Sequence, residues 1–263
     1  MKIEPMIDDV SEMPVLRDPA FISDLHLCAQ RPRTLARALA FFDETAARHA
    51  ELVILGDLFE YWPGDDSLDA QTPDDDVART VVAALRRLAD RGVAVSVMHG
   101  NRDVLLGARF AEASGARLLP DPVVEQVGAI PTLLSHGDAY CTRDTAYQQF
   151  RLQARDPRFQ AAFLARPLAE RRALIGQARA QSEQEKQRLA AEIMDVTPEA
   201  IAQAMRDAGA AQMIHGHTHL PDRHAFALDG REAVRWVLPD WDEDTEPARG
   251  GSLAVVDGVL TRR

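Results

Sequence analysis

The stretch Phe21-Ile22-Ser23-Asp24-Leu25-His26-Leu27 decides how the chain is read. An apolar run leads into an Asp and a His two residues apart. In an extended chain, residues i and i+2 share a face, so a carboxylate and an imidazole are expected on one side of a strand end. A single Asp-x-His triplet is also what a solvated strand end carries. Here the arrangement recurs. Leu52-Val53-Ile54-Leu55 ends in Gly56-Asp57, and residues 93–98 end in His99-Gly100-Asn101-Arg102-Asp103. Thr132-Leu133-Leu134 ends in Ser135-His136-Gly137-Asp138, and Ala211-Gln212-Met213-Ile214 in His215-Gly216-His217-Thr218-His219. Five apolar runs stop at a metal-capable side chain, usually beside a Gly that lets the backbone turn sharply.

Helical patterns lie between these runs. Leu35, Leu39 and Phe42 recur at helical spacing within 32–49, and Val81, Ala84, Leu85 and Leu88 within 77–90, with Gly92 placed as a cap. Residues 105–114 read as a short helix stopped by Gly115, and 123–127 with 132–134 as paired strands. The acid-dense segment 57–76 reads as a solvated loop. Alternation of strand and helix predicts an α/β sheet with helices on its faces, and such sheets bind ligands at the carboxyl ends of their strands. All five motifs fall there.

From about 145 to 209 the rhythm changes to helices alone, with Phe150, Phe159, Phe163, Leu164, Leu168, Leu174 and Ile175 as bulky apolar groups. We read this span as a helical cap over the mouth of the sheet; the same apolar content would also serve an ordinary packed layer. Thr197-Pro198 marks a helix start. Two hairpins follow, turning at Asp229-Gly230 and Asp257-Gly258. Residues 1–17 are expected to be a mobile extension and 18–263 the functional domain.

Composition narrows the classes. The 46% hydrophobic content of 263 residues allows a large core, and no apolar run is long enough for a transmembrane helix. The N-terminus lacks the apolar stretch of a signal peptide. Two cysteines without a Cys-x-x-Cys pair argue for reduced thiols in the cytosol, and against a thiolate zinc site. A net charge of −11 argues against general nucleic-acid binding, although Arg166, Arg171, Arg172 and Arg179 could form a local basic patch.

The candidates collected from the strand ends are Asp24, His26, Asp57, Asn101, His136, His217 and His219. Carboxylate, carboxamide and imidazole suit a divalent ion of borderline hardness such as Mn²⁺, Fe²⁺ or Zn²⁺. Seven ligands exceed the needs of one catalytic ion and suit two ions sharing a carboxylate, the arrangement that clamps an in-line displacement at phosphorus. His49 reads as a surface residue, His224 is unassigned, and His99 suits a buried hydrogen-bonded role. Spacing leaves open which two of His215, His217 and His219 bind metal.

Asp24-x-His26, Gly56-Asp57, Gly100-Asn101, His136 and Gly216-His217-Thr218-His219, taken in order, resemble the motif series of the calcineurin-like metallophosphoesterases. The resemblance implies a four-layer α/β fold, a β-sandwich flanked by helices, with a dinuclear site. It implies that His217 and His219 are ligands and His215 is not. Asp57 would bridge, with Asp24, His26 and His219 on one ion and Asn101, His136 and His217 on the other. Where the wider family has Gly-Asn-His, this chain has Gly100-Asn101-Arg102, so a cation replaces the usual catalytic His.

That departure, with Ser23 to Cys28, Ile54 to Glu60, His99 to Gly107, His136 to Thr142 and Ile193-Met194-Asp195-Val196, resembles the UDP-2,3-diacylglucosamine hydrolase branch of lipid A biosynthesis. The likeness implies attack of water on the α-phosphorus of UDP-2,3-diacylglucosamine, giving UMP and 2,3-diacylglucosamine 1-phosphate. It implies two Mn²⁺ ions and a monomeric enzyme, peripheral on the cytoplasmic face of the inner membrane. Implied substrate contacts are Asn101, Arg102, Asp144, Arg179, Ser182 and His217. The family Lys falls at Leu189 here, and Lys186 or Arg188 is the candidate replacement. The alternatives are a metallophosphoesterase for another nucleotide or diphosphate, and a non-catalytic scaffold, which typically loses ligands that this chain retains.

Overall fold

The computed structural model describes residues 14–186, 195–256 and 258–263, with side chains given except at 181–186. Twelve strands form two six-stranded mixed sheets. In chain order they are β1 (Val15–Leu16), β2 (Pro19–Ile22), β3 (Glu51–Leu55), β4 (Ala94–Met98), β5 (Arg117–Leu119), β6 (Val123–Val127), β7 (Ile130–Leu134), β8 (Gln212–His215), β9 (Arg223–Leu228), β10 (Arg231–Val237), β11 (Leu253–Val256) and β12 (Val259–Arg262). One sheet runs β12-β11-β2-β3-β4-β5 and the other β1-β6-β7-β8-β10-β9.

Side-chain alternation builds the layers. Phe21, Val53, Leu55 and Met98 of the first sheet pack against Val127, Leu134 and Ile214 of the second. Their neighbours Ile22, Leu52, Ile54 and Val97 point the other way, onto the helices of the amino-terminal half. Both faces are buried, which is why these strands read as unbroken apolar runs. On the far side of the second sheet, Leu133, Met213 and Ala233 meet Ile201 and Met205. Strand–helix alternation alone predicts a sheet; it does not reveal that the strands divide into two sheets face to face.

Several boundaries move. Val15–Leu16 pairs in parallel with β6, so the expected extension over 1–17 stops short of Val15; residues 1–13 lie outside the described chain. The helix α1 (Pro32–Ala40) loosens into a wide turn over Phe41–Thr45 and tightens over Ala46–Arg48, so 32–49 is not one regular helix. The helix α2 (Pro73–Asp90) starts four residues before the expected 77. Its first turn is the acid run read as loop. Thr72 and Asp75 form a reciprocal capping box, Pro73 takes the first position, and the carboxylates face the positive end of the helix dipole. The helix α3 (Ala108–Ser114) ends, as expected, at a left-handed Gly115. The hairpin of β9 and β10 turns through Asp229 and Gly230, both at positive φ. Asp257 of the second predicted turn lies outside the described residues.

The span 145–209 holds α4 (Thr145–Ala154), α5 (Pro157–Leu164), α6 (Leu168–Lys186) and α7 (Pro198–Asp207). It splits into two parts. The helix α7, which the expected cap over 145–209 included, belongs instead to the packed layer on the second sheet. No residue of α4 or α5 is fully buried. The helix α6 is fastened by charge. The buried Arg171 donates to the Pro63 carbonyl and to Asp66, Arg172 pairs with Asp75, and Arg179 with Glu60. The expected basic patch is therefore largely neutralised by the acids of 60–75.

Candidate metal centre

Loops at the carboxyl ends of β2, β3, β4, β7 and β8 converge on one point. Asp24, His26, Asp57, His217 and His219 all have φ between 49° and 68°. Asp and His are the residue types that tolerate this left-handed region best after Asn and Gly. Asp24 and His26 share a side because each sits in such a turn, and not because the chain is extended, as the sequence suggested. Tertiary hydrogen bonds hold these turns. Asp24 N and His26 N donate to the carbonyls of Gly56 and Asp57 at 3.1 and 2.9 Å, and Trp241 N donates to the Asp24 carbonyl at 3.0 Å.

The side chains form two clusters about Asp57. On one side, His26 Nε2 lies 3.4 Å from His219 Nε2 and 3.9 Å from Asp24 Oδ1, and His219 Nε2 lies 3.4 Å from the same oxygen. On the other, Asn101 Oδ1 lies 3.0 Å from both His136 Nε2 and His217 Nδ1. Asp57 reaches both: Oδ2 is 3.7 Å from His26 Nε2, and Oδ1 is 3.8 Å from His136 Nε2. All seven expected residues meet here.

The donor set fits divalent metal. Asp24, His26 and His219 offer ligand atoms within 4.8 Å of one another, and so do Asp24, Asp57 and His136. Asp24 Oδ1 is buried without a hydrogen-bond partner among the described residues, a costly state for a carboxylate that a cation relieves. Burial opposes charge on His136, but Asp57 and Asp24 outweigh it and push its pKa up to about 9. In the protein alone, a proton thus supplies positive charge at a point that these carboxylates make favourable for a cation. Gly100 and Gly216 allow the close approach. A Cβ on Gly100 would stand 2.0 Å from Asp57 Oδ1, and one on Gly216 2.2 Å from Asp24 Oδ2.

His215 is excluded by its bonding. It is buried, its Nδ1–H donates to the Gly216 carbonyl at 2.9 Å, and its Nε2 accepts from Arg235 at 3.1 Å. Both nitrogens are occupied, and burial lowers its pKa to about 3, so the ring is neutral. His99 is half-buried and bonds to the Leu106 carbonyl at 2.7 Å.

A second ring of residues supports the clusters, and among them Glu60, Asp103, Asp138, Tyr147 and Asp240 had no role in the sequence reading. Glu60 Oε2 lies 3.1 Å from His26 Nδ1, while Oε1 lies 2.5 Å from Arg179 Nη2 and 3.8 Å from Arg102 Nη1. One carboxylate thus orients an imidazole and gathers two guanidinium groups. Asp240 Oδ2 lies 3.6 Å from His219 Nδ1. Asp103, wholly buried, accepts from Gly100 N and Leu58 N, both at 2.8 Å, and so ties the Asn101 loop to the Asp57 loop. Tyr147 stacks on His217 at 5.8 Å and donates its hydroxyl to Asp138 at 2.6 Å. Glu60, Asp103 and Asp138 stand only two or three residues from a candidate ligand in the sequence, but nothing in the chain order marks them as its partners before the fold is known. Of the expected substrate contacts, Arg102 and Arg179 border the site through Glu60. Asp144 caps α4, accepting from Tyr147 N at 2.9 Å. The side chains of Ser182 and Lys186, and all of Arg188 and Leu189, lie outside the description.

A cavity of about 490 Å³ adjoins this ring, between α6 and the strand ends, lined by Glu60, Tyr61, Arg172, Ile175 and Arg179. Known proteins are similar to the chain in sequence. A UDP-2,3-diacylglucosamine hydrolase of Aromatoleum aromaticum is 50% identical over 224 residues, 85% of this chain and 89% of that one. Those of Bordetella pertussis and Chromohalobacter salexigens are 44% and 46% identical over 242 residues, covering more than nine-tenths of each chain. Residues 19–221, which contain every residue of the two clusters, match the calcineurin-like phosphoesterase family, and the chain, a hydrolase with a site built for divalent metal, belongs to that family.

Proposed function

We propose that the chain hydrolyses the diphosphate of UDP-2,3-diacylglucosamine to UMP and 2,3-diacylglucosamine 1-phosphate, in lipid A biosynthesis. The observation that carries this is the junction at Glu60. One carboxylate joins a candidate metal ligand, two arginines and a cavity under α6 large enough for part of a lipid. The names of the relatives support the same substrate.

The residue roles are as follows. Asp24, His26 and His219 would hold one ion, Asn101, His136 and His217 the other, and Asp57 would serve both; we take the ions to be Mn²⁺. Two such ions supply Lewis acidity at the phosphoryl oxygens and lower the pKa of water. Arg102 and Arg179 pair with phosphate oxygens in the bidentate geometry that guanidinium favours. Tyr147 and Asp138 hold the His217 ring, and Asp144 contacts the sugar. Among the described residues no helix is long and apolar enough to cross a membrane. Phe150, Leu152, Phe159 and Leu164 of α4 and α5 are instead exposed by 37–73%, which supports peripheral contact of a monomer with the cytoplasmic face of the inner membrane. The domain then comprises the residues from Val15 onward, capped by α4 to α6.

The test is hydrolysis of UDP-2,3-diacylglucosamine with and without Mn²⁺, beside a non-acylated UDP-sugar. Mn²⁺-dependent release of UMP from the acylated substrate alone is expected. Equal activity on both would move the substrate to soluble nucleotide sugars. Asp57→Ala should abolish turnover, and a normal kcat in that variant would contradict the shared-ligand assignment.

A further inference from the structure

A second cavity, of about 330 Å³, opens beside Thr218, next to the candidate centre. Asp195, Thr218, Leu220, Asp222, His224 and Arg235 line it. None of them has a place in the reaction described above. His224 and the Asp195 motif drew notice in the sequence and remained without a role. We infer that this cavity receives the uracil nucleoside end of the substrate. The inference rests on the proposed substrate and adds to it the site that reads the nucleotide.

Three observations carry it. The first is position. Thr218 forms part of the wall and stands in the chain between His217 and His219, so the cavity begins where the two clusters end. The larger cavity reaches the centre through Glu60, which contacts His26 and Arg179. A diphosphate joining a lipid sugar to a nucleoside needs a separate pocket for each end, and these two cavities share no lining residue.

The second is the donor and acceptor pattern. Arg235 and His224 are direct cross-strand partners on β10 and β9, so their side chains lie on one face. Asp222 Oδ2 is 3.9 Å from His224 Nε2. Arg235 spends one Nη1 donor on His215 and has five in all. The wall therefore offers donors from Arg235 and His224 and acceptors from Asp222 and Asp195. The uracil edge presents acceptor, donor, acceptor at O4, N3–H and O2, and so suits donors flanking a carboxylate. Cytosine presents an amino donor in place of O4 and meets Arg or His with the wrong sign.

The third is an unusual placement of polar and apolar groups. Thr218 Oγ1 is buried with no hydrogen-bond partner among the described residues, while Leu220 is held 54% exposed at the rim. A buried hydroxyl lacking a partner is costly. An exposed Leu beside a polar cavity provides a surface on which a flat ring rests.

The test uses Mn²⁺-loaded protein and calorimetric titration with UMP, CMP and AMP. UMP should bind at least about tenfold more tightly than CMP or AMP, a difference of about 1.4 kcal/mol. Asp222→Ala and His224→Ala should each weaken UMP and erase its preference over CMP. Leu220→Ala, at an exposed position that the core does not need, should weaken UMP alone while circular dichroism and Mn²⁺ content stay unchanged. UMP binding no tighter than CMP in the unaltered protein would overturn the inference, as would the same preference in all three variants. Cleavage of UDP-2,3-diacylglucosamine is scored separately. Cleavage without a UMP preference leaves the substrate standing and removes this site. A UMP preference without cleavage keeps the site and removes the lipid half of the substrate.

Discussion

Glu60→Gln isolates the link between the candidate metal centre and the phosphate-binding arginines. The substitution keeps the shape of the side chain and removes its charge. In the native protein, burial alone would raise the pKa of Glu60, but His26, Arg102 and Arg179 together lower it to about 2, so it is ionised at neutral pH. Its two oxygens serve different partners, Oε2 to His26 Nδ1 at 3.1 Å and Oε1 to Arg179 Nη2 at 2.5 Å. A neutral amide has one acceptor oxygen, so it keeps one partner and turns an NH₂ donor toward the other. Loss of such an outer partner costs about 10- to 100-fold in metal affinity or activity, or about 1.4–2.7 kcal/mol. Mn²⁺ dependence of kcat measures the His26 side of the link, and KM for the diphosphate substrate measures the arginine side. Both should worsen in Glu60→Gln. Glu60→Asp keeps the charge, shortens the reach by one methylene, and should be the milder variant. An unchanged Mn²⁺ affinity together with an unchanged kcat/KM in Glu60→Gln would refute the reasoning, because the carboxylate would then orient neither group.

Three further outcomes test other parts of the structure. Gly100→Ala should bind Mn²⁺ poorly and lose activity by orders of magnitude while remaining folded, since its Cβ would stand 2.0 Å from Asp57 Oδ1 and 2.3 Å from Asp57 N; metal analysis beside circular dichroism checks this. Thr72→Ala removes the capping box of α2 and should cost about 1 kcal/mol, seen as a Tm lowered by about 2–4 °C, with kcat intact. Glu125 is buried, with Oε1 3.3 Å from Arg117 and Oε2 unpaired. Burial raises its pKa, an effect that Arg117 only partly offsets. A carboxyl whose folded pKa exceeds its unfolded value costs the fold nothing while protonated and destabilises it as pH rises through the folded pKa. Glu125→Gln should therefore raise Tm at pH 8, and the gain should vanish as pH falls below the usual glutamate range; a constant difference across that range would contradict the assignment.

Much of the candidate site was legible in the chain because its chemistry is carried by residue type and order. Asp24, His26, Asp57, Asn101, His136, His217 and His219 each follow a strand long enough to be seen as an apolar run, and strand ends in an α/β chain face a common edge. The helix starts were less legible. Pro73-Asp74-Asp75-Asp76 reads as solvated loop until Thr72 is seen to cap it, because acids in a loop and acids in a first helical turn look alike in sequence. The residue pattern, read without the family resemblance, left three matters to the tertiary structure. That structure divided the strands between two sheets, since an apolar run buried on both faces does not say what covers each face. It set His215 apart from its neighbours, because Arg235 and the Gly216 carbonyl occupy both ring nitrogens. It found Glu60, Asp103, Asp138 and Asp240, whose roles are set by distances across chain separations that no local pattern encodes. A ligand can be recognised from its own type and its place on a strand; its supporting partner can be recognised only once folding has brought it near.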